Sequence, residues 1–156
     1  WPARIEQNMQ YEKRIHHTDI FSTILGAANI APPQDIKIDG VNLIPYLTNE
    51  IIGEPHETLY WKNATYQAII HKDWKLMRSK YPEEREYLYN LKIDPYETKN
   101  LAMTEIAMKD LLHEKLNTHI NSLPEPSWPQ SVFMPVVIDK PQTQYEEGDE
   151  LVLWPN

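Results

Sequence analysis

The sequence predicts an α+β fold: a small four-stranded antiparallel sheet packed on one C-terminal helix, with a shorter helix ahead of the sheet. Three observations predict it. Four runs rich in aromatic and β-branched residues follow one another between residues 57 and 91, separated only by short polar connections. Residues 104–123 repeat apolar side chains at helical spacing and stop at Pro124. Residues 18–28 do the same over a shorter stretch, which Pro32-Pro33 terminates.

In chain order, the first helix is "TDIFSTILGAA". Thr18 suits its N-cap, Asp19 its positive end, and Ile20, Phe21, Ile24, Leu25 and Ala28 its apolar stripe. "DGVNLIPYL" (39–47) is a turn and a compact apolar segment. "ETLYWKN", "YQAIIHK", "DWKLMRS" and "EYLYNL" are the strands. Their links, around Asn63-Ala64, at Lys72-Asp73 and at Pro82-Glu83-Glu84, are too short for parallel crossovers, so the sheet is a meander. "YLYNLKIDPYETKNLA" (87–102) carries the last strand into a turn, because Asp94-Pro95 cannot continue a ladder. The long helix follows, with Thr104 as cap and Met108, Leu111, Leu112, Leu116, Ile120 and Leu123 as its stripe.

The 156 residues are enough for one domain with a core and short of two full ones. The net charge of −8 is concentrated: residues 124–156 hold six acidic side chains and one basic, Lys140. This tail also carries 6 of the 13 prolines and reads as a wrapping segment, in which "SVFMPVVI" and "ELVLW" are candidate edge strands. An acidic chain with no basic cluster repels phosphate backbones, which argues against nucleic acid and anionic membrane as partners. No apolar run reaches the roughly 20 residues that span a bilayer. Cysteine is absent, so disulfides, thiolate metal sites and a cysteine nucleophile are excluded within the chain. The chain opens on "WPARI" without Met and reads as a piece of something longer.

Chemistry is sparse. His16, His17 and Asp19 enter a helix, where neighbours point to different faces, and His113 and His119 form no His-Glu-x-x-His pattern. Four scattered glycines make no phosphate loop, and no serine stands in a nucleophile elbow. Tyr60, Trp61, Tyr66, Trp74 and Tyr89 make either a sugar-stacking surface or strand packing, and packing is the simpler account. Asn63-Ala64-Thr65 matches a glycosylation acceptor, a triplet common by chance. The residues alone show no self-sufficient active site.

Five blocks in order over residues 1–102 resemble the C-terminal portion of a type I, formylglycine-dependent sulfatase of the alkaline phosphatase superfamily: "WPARI", "HTDIFSTILGAANI", "IDGVNLIPYL" with "HETLYWKN", "AIIHKDWKLM" and "YLYNLKIDPYETKNLA". Ser22 stands where the family's helix motif has proline, and Lys72 where its hairpin has glycine. The resemblance implies that the first helix belongs to the catalytic domain. Residues 1–52 would then end that domain, 53–123 form the C-terminal subdomain, and 124–156 form the tail.

It further implies hydrolysis of a sulfate ester, on sulfated carbohydrate or another carrier, in a periplasmic or secreted enzyme. Formylglycine and calcium would lie on an N-terminal catalytic part that is this chain's partner. No Cys/Ser-x-Pro-x-Arg motif occurs here, so no residue of this chain is assigned catalysis or a metal. His56, Trp61, Lys62 and Arg78, as strand-edge side chains, are the candidate substrate contacts. The rival reading is a stand-alone carbohydrate-binding or protein-interaction module.

Overall fold

The computed structural model describes residues 1–63, 66–79 and 84–124, which fall into two compact units, Trp1–Glu57 and a second beginning at Thr58. The Ala64-Thr65 half of the glycosylation triplet, the connection at 80–83, and the acidic tail with its two candidate strands lie outside the described residues.

In the first unit, helix α1 (Asp19–Ala27) follows Thr18, as the spacing predicts, but the Thr18 side chain caps nothing. Its hydroxyl instead pairs with His16 Nδ1 at 3.0 Å. The organising group is the Asp19 carboxylate, which is fully buried. It accepts the backbone N–H of His16 (2.7 Å) and of Val41 (2.9 Å), and both its oxygens lie 2.8 Å from His56 Nε2. Burial pushes the Asp19 pKa up, but the two backbone N–H bonds and His56 outweigh it and hold the carboxyl below its ordinary value.

The segment from Gly40 to Leu43 runs against α1. A side chain at Gly40 would put its Cβ 2.1 Å from the Thr18 carbonyl oxygen, so only glycine permits the approach. Ser22 donates to the Gly40 carbonyl (2.7 Å), and the Leu43 N–H donates to Thr23 Oγ1 (3.0 Å). The serine that replaces the family's proline thus ties helix to segment. One turn of helix, α2 (Ile44–Leu47), ends the run. The outer face of α1 stays open, with Ile20 61%, Phe21 50% and Ile24 60% exposed.

The second unit is the predicted meander. Strands β1 (Thr58–Lys62), β2 (Tyr66–His71), β3 (Trp74–Ser79) and β4 (Arg85–Asn90) pair antiparallel in sequence order. Lys72 makes the two-residue turn between β2 and β3 at φ +51°, the left-handed conformation that the family's glycine would supply without strain. The cross-strand row Tyr60, Ile69, Leu76, Leu88 faces helix α3 (Ile106–Ser122). There Leu112 and Leu116 are buried, flanked by Met108 and Ile120 at steps of four. Two details differ from expectation. The helix starts after Glu105, because the Thr104 hydroxyl donates back to the Leu101 carbonyl (3.2 Å) and caps nothing. Leu111 is 41% exposed, so the packed stripe is narrower than the apolar pattern.

The turn after β4 is built by side chains. Asp94 accepts from the Thr98 and Lys99 N–H groups, at 3.0 and 2.9 Å, and from the Thr98 hydroxyl at 2.9 Å. Glu97, at φ +58°, reaches Lys75 Nζ at 2.6 and 2.8 Å. Asn100 lies along the outer edge of β4. Its Oδ1 accepts the N–H of Leu88 (2.9 Å) and of Ala102 (3.0 Å), and its Nδ2 donates to the Glu86 carbonyl (3.0 Å). The Leu101 N–H completes the set on the Leu88 carbonyl (2.8 Å). The edge that a meander leaves open is thereby paired.

Three stability predictions follow from these contacts. Asn100→Ala removes three hydrogen bonds and leaves part-buried backbone donors without acceptors, so denaturant unfolding should show a loss of about 2–4 kcal/mol. Lys72→Gly should raise the thermal midpoint, by relief of about 0.5 kcal/mol of left-handed strain. The third concerns acid. The His16 pKa is lowered by burial and by His17, and that of Asp19 is lowered as described. Both shifts mean that the unfolded chain binds more protons, so stability rises with pH. The His16 contribution is lost as pH falls below 6.5, its unfolded value, and the Asp19 contribution only below 3.8. Unfolding between pH 7 and 5, read by a probe in the first unit, should therefore show a slope that His16→Gln flattens and Asp94→Asn leaves unchanged.

Candidate functional site

The strand register collects polar side chains at one end of the sheet. Residues paired across neighbouring strands share a face, so Lys62, Gln67, Arg78 and Glu86 form one row. The row lies two residues along from Tyr60, Ile69, Leu76 and Leu88, and so on the side that faces α3. Here α3 presents Lys109, His113 and Asn117, spaced by four, in place of its apolar stripe. Between them opens a cleft of about 650 Å³ lined by Arg78, Glu84, Arg85, Glu86, His113 and Asn117.

Each charge in this row has a distinct state. The Glu86 carboxylate is occupied on both oxygens: His113 Nε2 donates to one at 2.7 Å, and Lys109 Nζ stands 3.3 Å from the other. Arg78 is held without a carboxylate. Its Nε donates to Gln67 Oε1 and its Nη2 to Asn117 Oδ1 (2.7 Å). Both acceptors are neutral amides, and Gln67 is buried. Lys62 is exposed at the end of β1, with no ion pair to any described residue.

Of the four side chains singled out in the sequence, the structure brings Lys62 and Arg78 onto one face, two strands apart. Trp61 points to the opposite face and is 38% exposed. His56 precedes β1 and is half of the buried Asp19 pair, with 10% of its side chain exposed. Gln67, Glu86, His113 and Asn117 were not singled out. Gln67 had a visible signal, since it breaks the inward apolar parity of β2 that Ile69 sets.

The aromatic residues are mostly packed. Tyr60 stacks on His119 at 3.9 Å, with ring planes 6° apart, and Trp74 lies against the core cluster. Tyr89 is 5% exposed, and burial, followed by the nearby Glu97, pushes its hydroxyl pKa up to about 12. Tyr60, Trp74 and Tyr89 therefore form core and girdle, and Trp61 stays exposed.

Among the described residues no three His, Asp or Glu side chains converge to hold a metal ion. The described residues therefore do not fit a calcium site, and the sequence holds no Cys/Ser-x-Pro-x-Arg motif to carry formylglycine. No helix among the described residues is long and apolar enough to cross a membrane.

The chain and its fold have counterparts among known proteins. The family described as "N-sulphoglucosamine sulphohydrolase, C-terminal" matches residues 1–125. An uncharacterized sulfatase of Escherichia coli K12, YdeN, is 41% identical over 61 residues, which is 39% of this chain and 11% of that protein. The N-acetylgalactosamine-6-sulfatase of Canis lupus familiaris is 32% identical over 76 residues, 48% of this chain and 14% of that protein. The chain thus spans only about a seventh or less of the curated relatives it matches. A solved structure of a protein named BT4656, in complex with its substrate D-glucosamine-2-N,6-O-disulfate, shares the fold. The match has a TM-score of 0.52 and 23% identity, and covers 70% of this chain and 25% of that one. With four-fifths of its length matched by the family, and the four-stranded meander and C-terminal helix in place, the chain belongs to the C-terminal domain family of the sulfatases.

Proposed function

We propose that this chain is the C-terminal part of an enzyme that hydrolyses sulfate esters on carbohydrate, with the reacting groups on an N-terminal part of the same sulfatase. The observation that carries the reading is the family match over residues 1–125. One feature of the chain agrees with it. The exposed Ile20, Phe21 and Ile24 of α1 form an apolar face suited to burial against the catalytic part. On this reading residues 1–52 finish the catalytic domain, 53–123 are the C-terminal subdomain, and the enzyme works in the periplasm or outside the cell.

Calcium and formylglycine are assigned to the N-terminal part, where they would supply charge stabilisation and the nucleophile. This chain contributes scaffold and, taken singly, the candidate substrate contacts His56, Trp61, Lys62 and Arg78. Of these Arg78 is the best placed, because it is oriented and lacks a counter-ion, whereas His56 is engaged by Asp19. Sulfated amino sugars are the first substrates to test. The dog relative is named for a 6-sulfated N-acetylgalactosamine, and the BT4656 complex holds a 6-O-sulfated glucosamine. The stand-alone binding module is less favoured, since Tyr60, Trp74 and Tyr89 are engaged in packing.

The test is sulfate release. The complete protein containing this chain, supplied with calcium, should release sulfate from a 6-O-sulfated hexosamine and lose that activity on chelation. The 156-residue chain alone should release none. Hydrolysis by the chain alone, or a complete protein that binds the sugar and leaves its sulfate in place, would overturn the reading.

A further inference from the structure

The state of Arg78 is unusual for a half-buried cation. Fixing a guanidinium costs rotamer entropy, which an ion pair ordinarily offsets. Here the fork is fixed by Gln67 on β2 and Asn117 on α3, from two sides, through Nε and Nη2. Neither acceptor carries charge. Nη1 has no hydrogen-bond partner among the described residues, and Arg78 lines the cleft. The carboxylate in the same row, Glu86, is occupied by His113 and Lys109. Glu84 also lines the cleft but makes no ion pair with Arg78. The result is a positive charge with fixed orientation, free N–H groups and a concave surface in front of it. These are the properties that recognise an oxyanion, because the fork geometry matches a carboxylate or sulfate and its ordering cost is met before the ligand arrives.

We infer that the cleft at this end of the sheet is an anion subsite, in which Arg78 receives a carboxylate or sulfate group. In the complete enzyme this would be a charged group on the saccharide other than the ester being hydrolysed. Only that identification of the carrier rests on the sulfatase reading above; oxyanion binding by the cleft does not. The use of neutral acceptors is what separates this reading from a purely structural Arg78. A tether between β3 and α3 would work equally well, or better, with a carboxylate at position 117, whereas an anion subsite would not.

The experiment is a titration of the 156-residue chain with sodium sulfate, sodium glucuronate and glucose at constant ionic strength. The readout is the arginine side-chain Nε–H signal of Arg78, assigned by its disappearance in Arg78→Lys. A saturable shift with an oxyanion by about 50 mM, and none with glucose, is the expected result. The ratio of the two anion affinities identifies sulfate or carboxylate as the preferred group. Under competition with a labelled oxyanion, Arg78→Lys should weaken binding about tenfold through loss of the fork. Asn117→Asp should keep or raise the thermal midpoint while abolishing the anion response. An unshifted Arg78 signal at that concentration, an equal response to glucose, or undiminished anion binding in folded Asn117→Asp would overturn the inference. Anion binding by the chain, in a complete protein that hydrolyses no sulfate ester, would overturn the sulfatase reading and leave the subsite standing. Hydrolysis with no anion response would do the reverse.

Discussion

The second unit depends on the side chain of Asn100. A four-stranded meander ends on an open edge, and the N–H and C=O groups of β4 would face solvent or another chain. Asn100 answers the Leu88 N–H and the Glu86 carbonyl with one amide, in effect acting as a short strand without extending the sheet. Its Oδ1 also accepts the Ala102 N–H, which fixes where the chain turns away. Because Leu101 and Ala102 are seated there, α3 enters at the angle that puts Leu112 and Leu116 over Ile69, Leu76 and Leu88. Asp94 and Glu97 serve the same end further out, one by holding the turn and the other by anchoring it to Lys75. Hydrophobic burial supplies most of the stabilisation in this unit, and a few polar bonds decide its geometry.

The first unit solves a related problem differently. It has little regular structure, and its helices are short, so few backbone groups are satisfied by ladders. The buried Asp19 collects two backbone N–H groups, from His16 and Val41, and the ring of His56. A carboxylate in such a place is stable only because each donor is present, so losing any one of them exposes the cost of the buried charge. The close approach at Gly40 makes this possible, since it brings the Val41 N–H within reach of α1. A histidine that looks available for substrate in the sequence is thus part of what holds the unit together.

How much of this was legible in the sequence follows from the range of each interaction. The strands, their antiparallel order and the two main helices come from local period and short links, and all are found where the pattern puts them. Helix starts were less legible. Thr18 and Thr104 have the right chemistry for caps, yet each hydroxyl pairs with another nearby group. The Asp19–His56 pair joins residues 37 apart, and no periodicity relates them. The cleft at Arg78 needs the register of four strands and the phase of α3 at once. A one-residue slip in any strand would turn its member of the row to the other face. Arg78 could be nominated by type and position, but Gln67 and Asn117, which give it its character, become visible only once that register is known.

The polar end of the sheet shows where an argument from overall charge stops applying. A net charge of −8 with an acidic tail bears on an extended polyanion such as nucleic acid. A small oxyanion samples the field of a single cleft, not the whole surface, because charges beyond about 8–10 Å are screened at ordinary salt. Within that range the deciding quantity is which cations are already neutralised. Lys75 is paired with Glu97, and Lys109 with Glu86, so neither offers much to a ligand. Arg78 is ordered by amides that take none of its charge. The fold thus delivers, at one end of a core built for stability alone, a cation whose position is settled and whose charge is not.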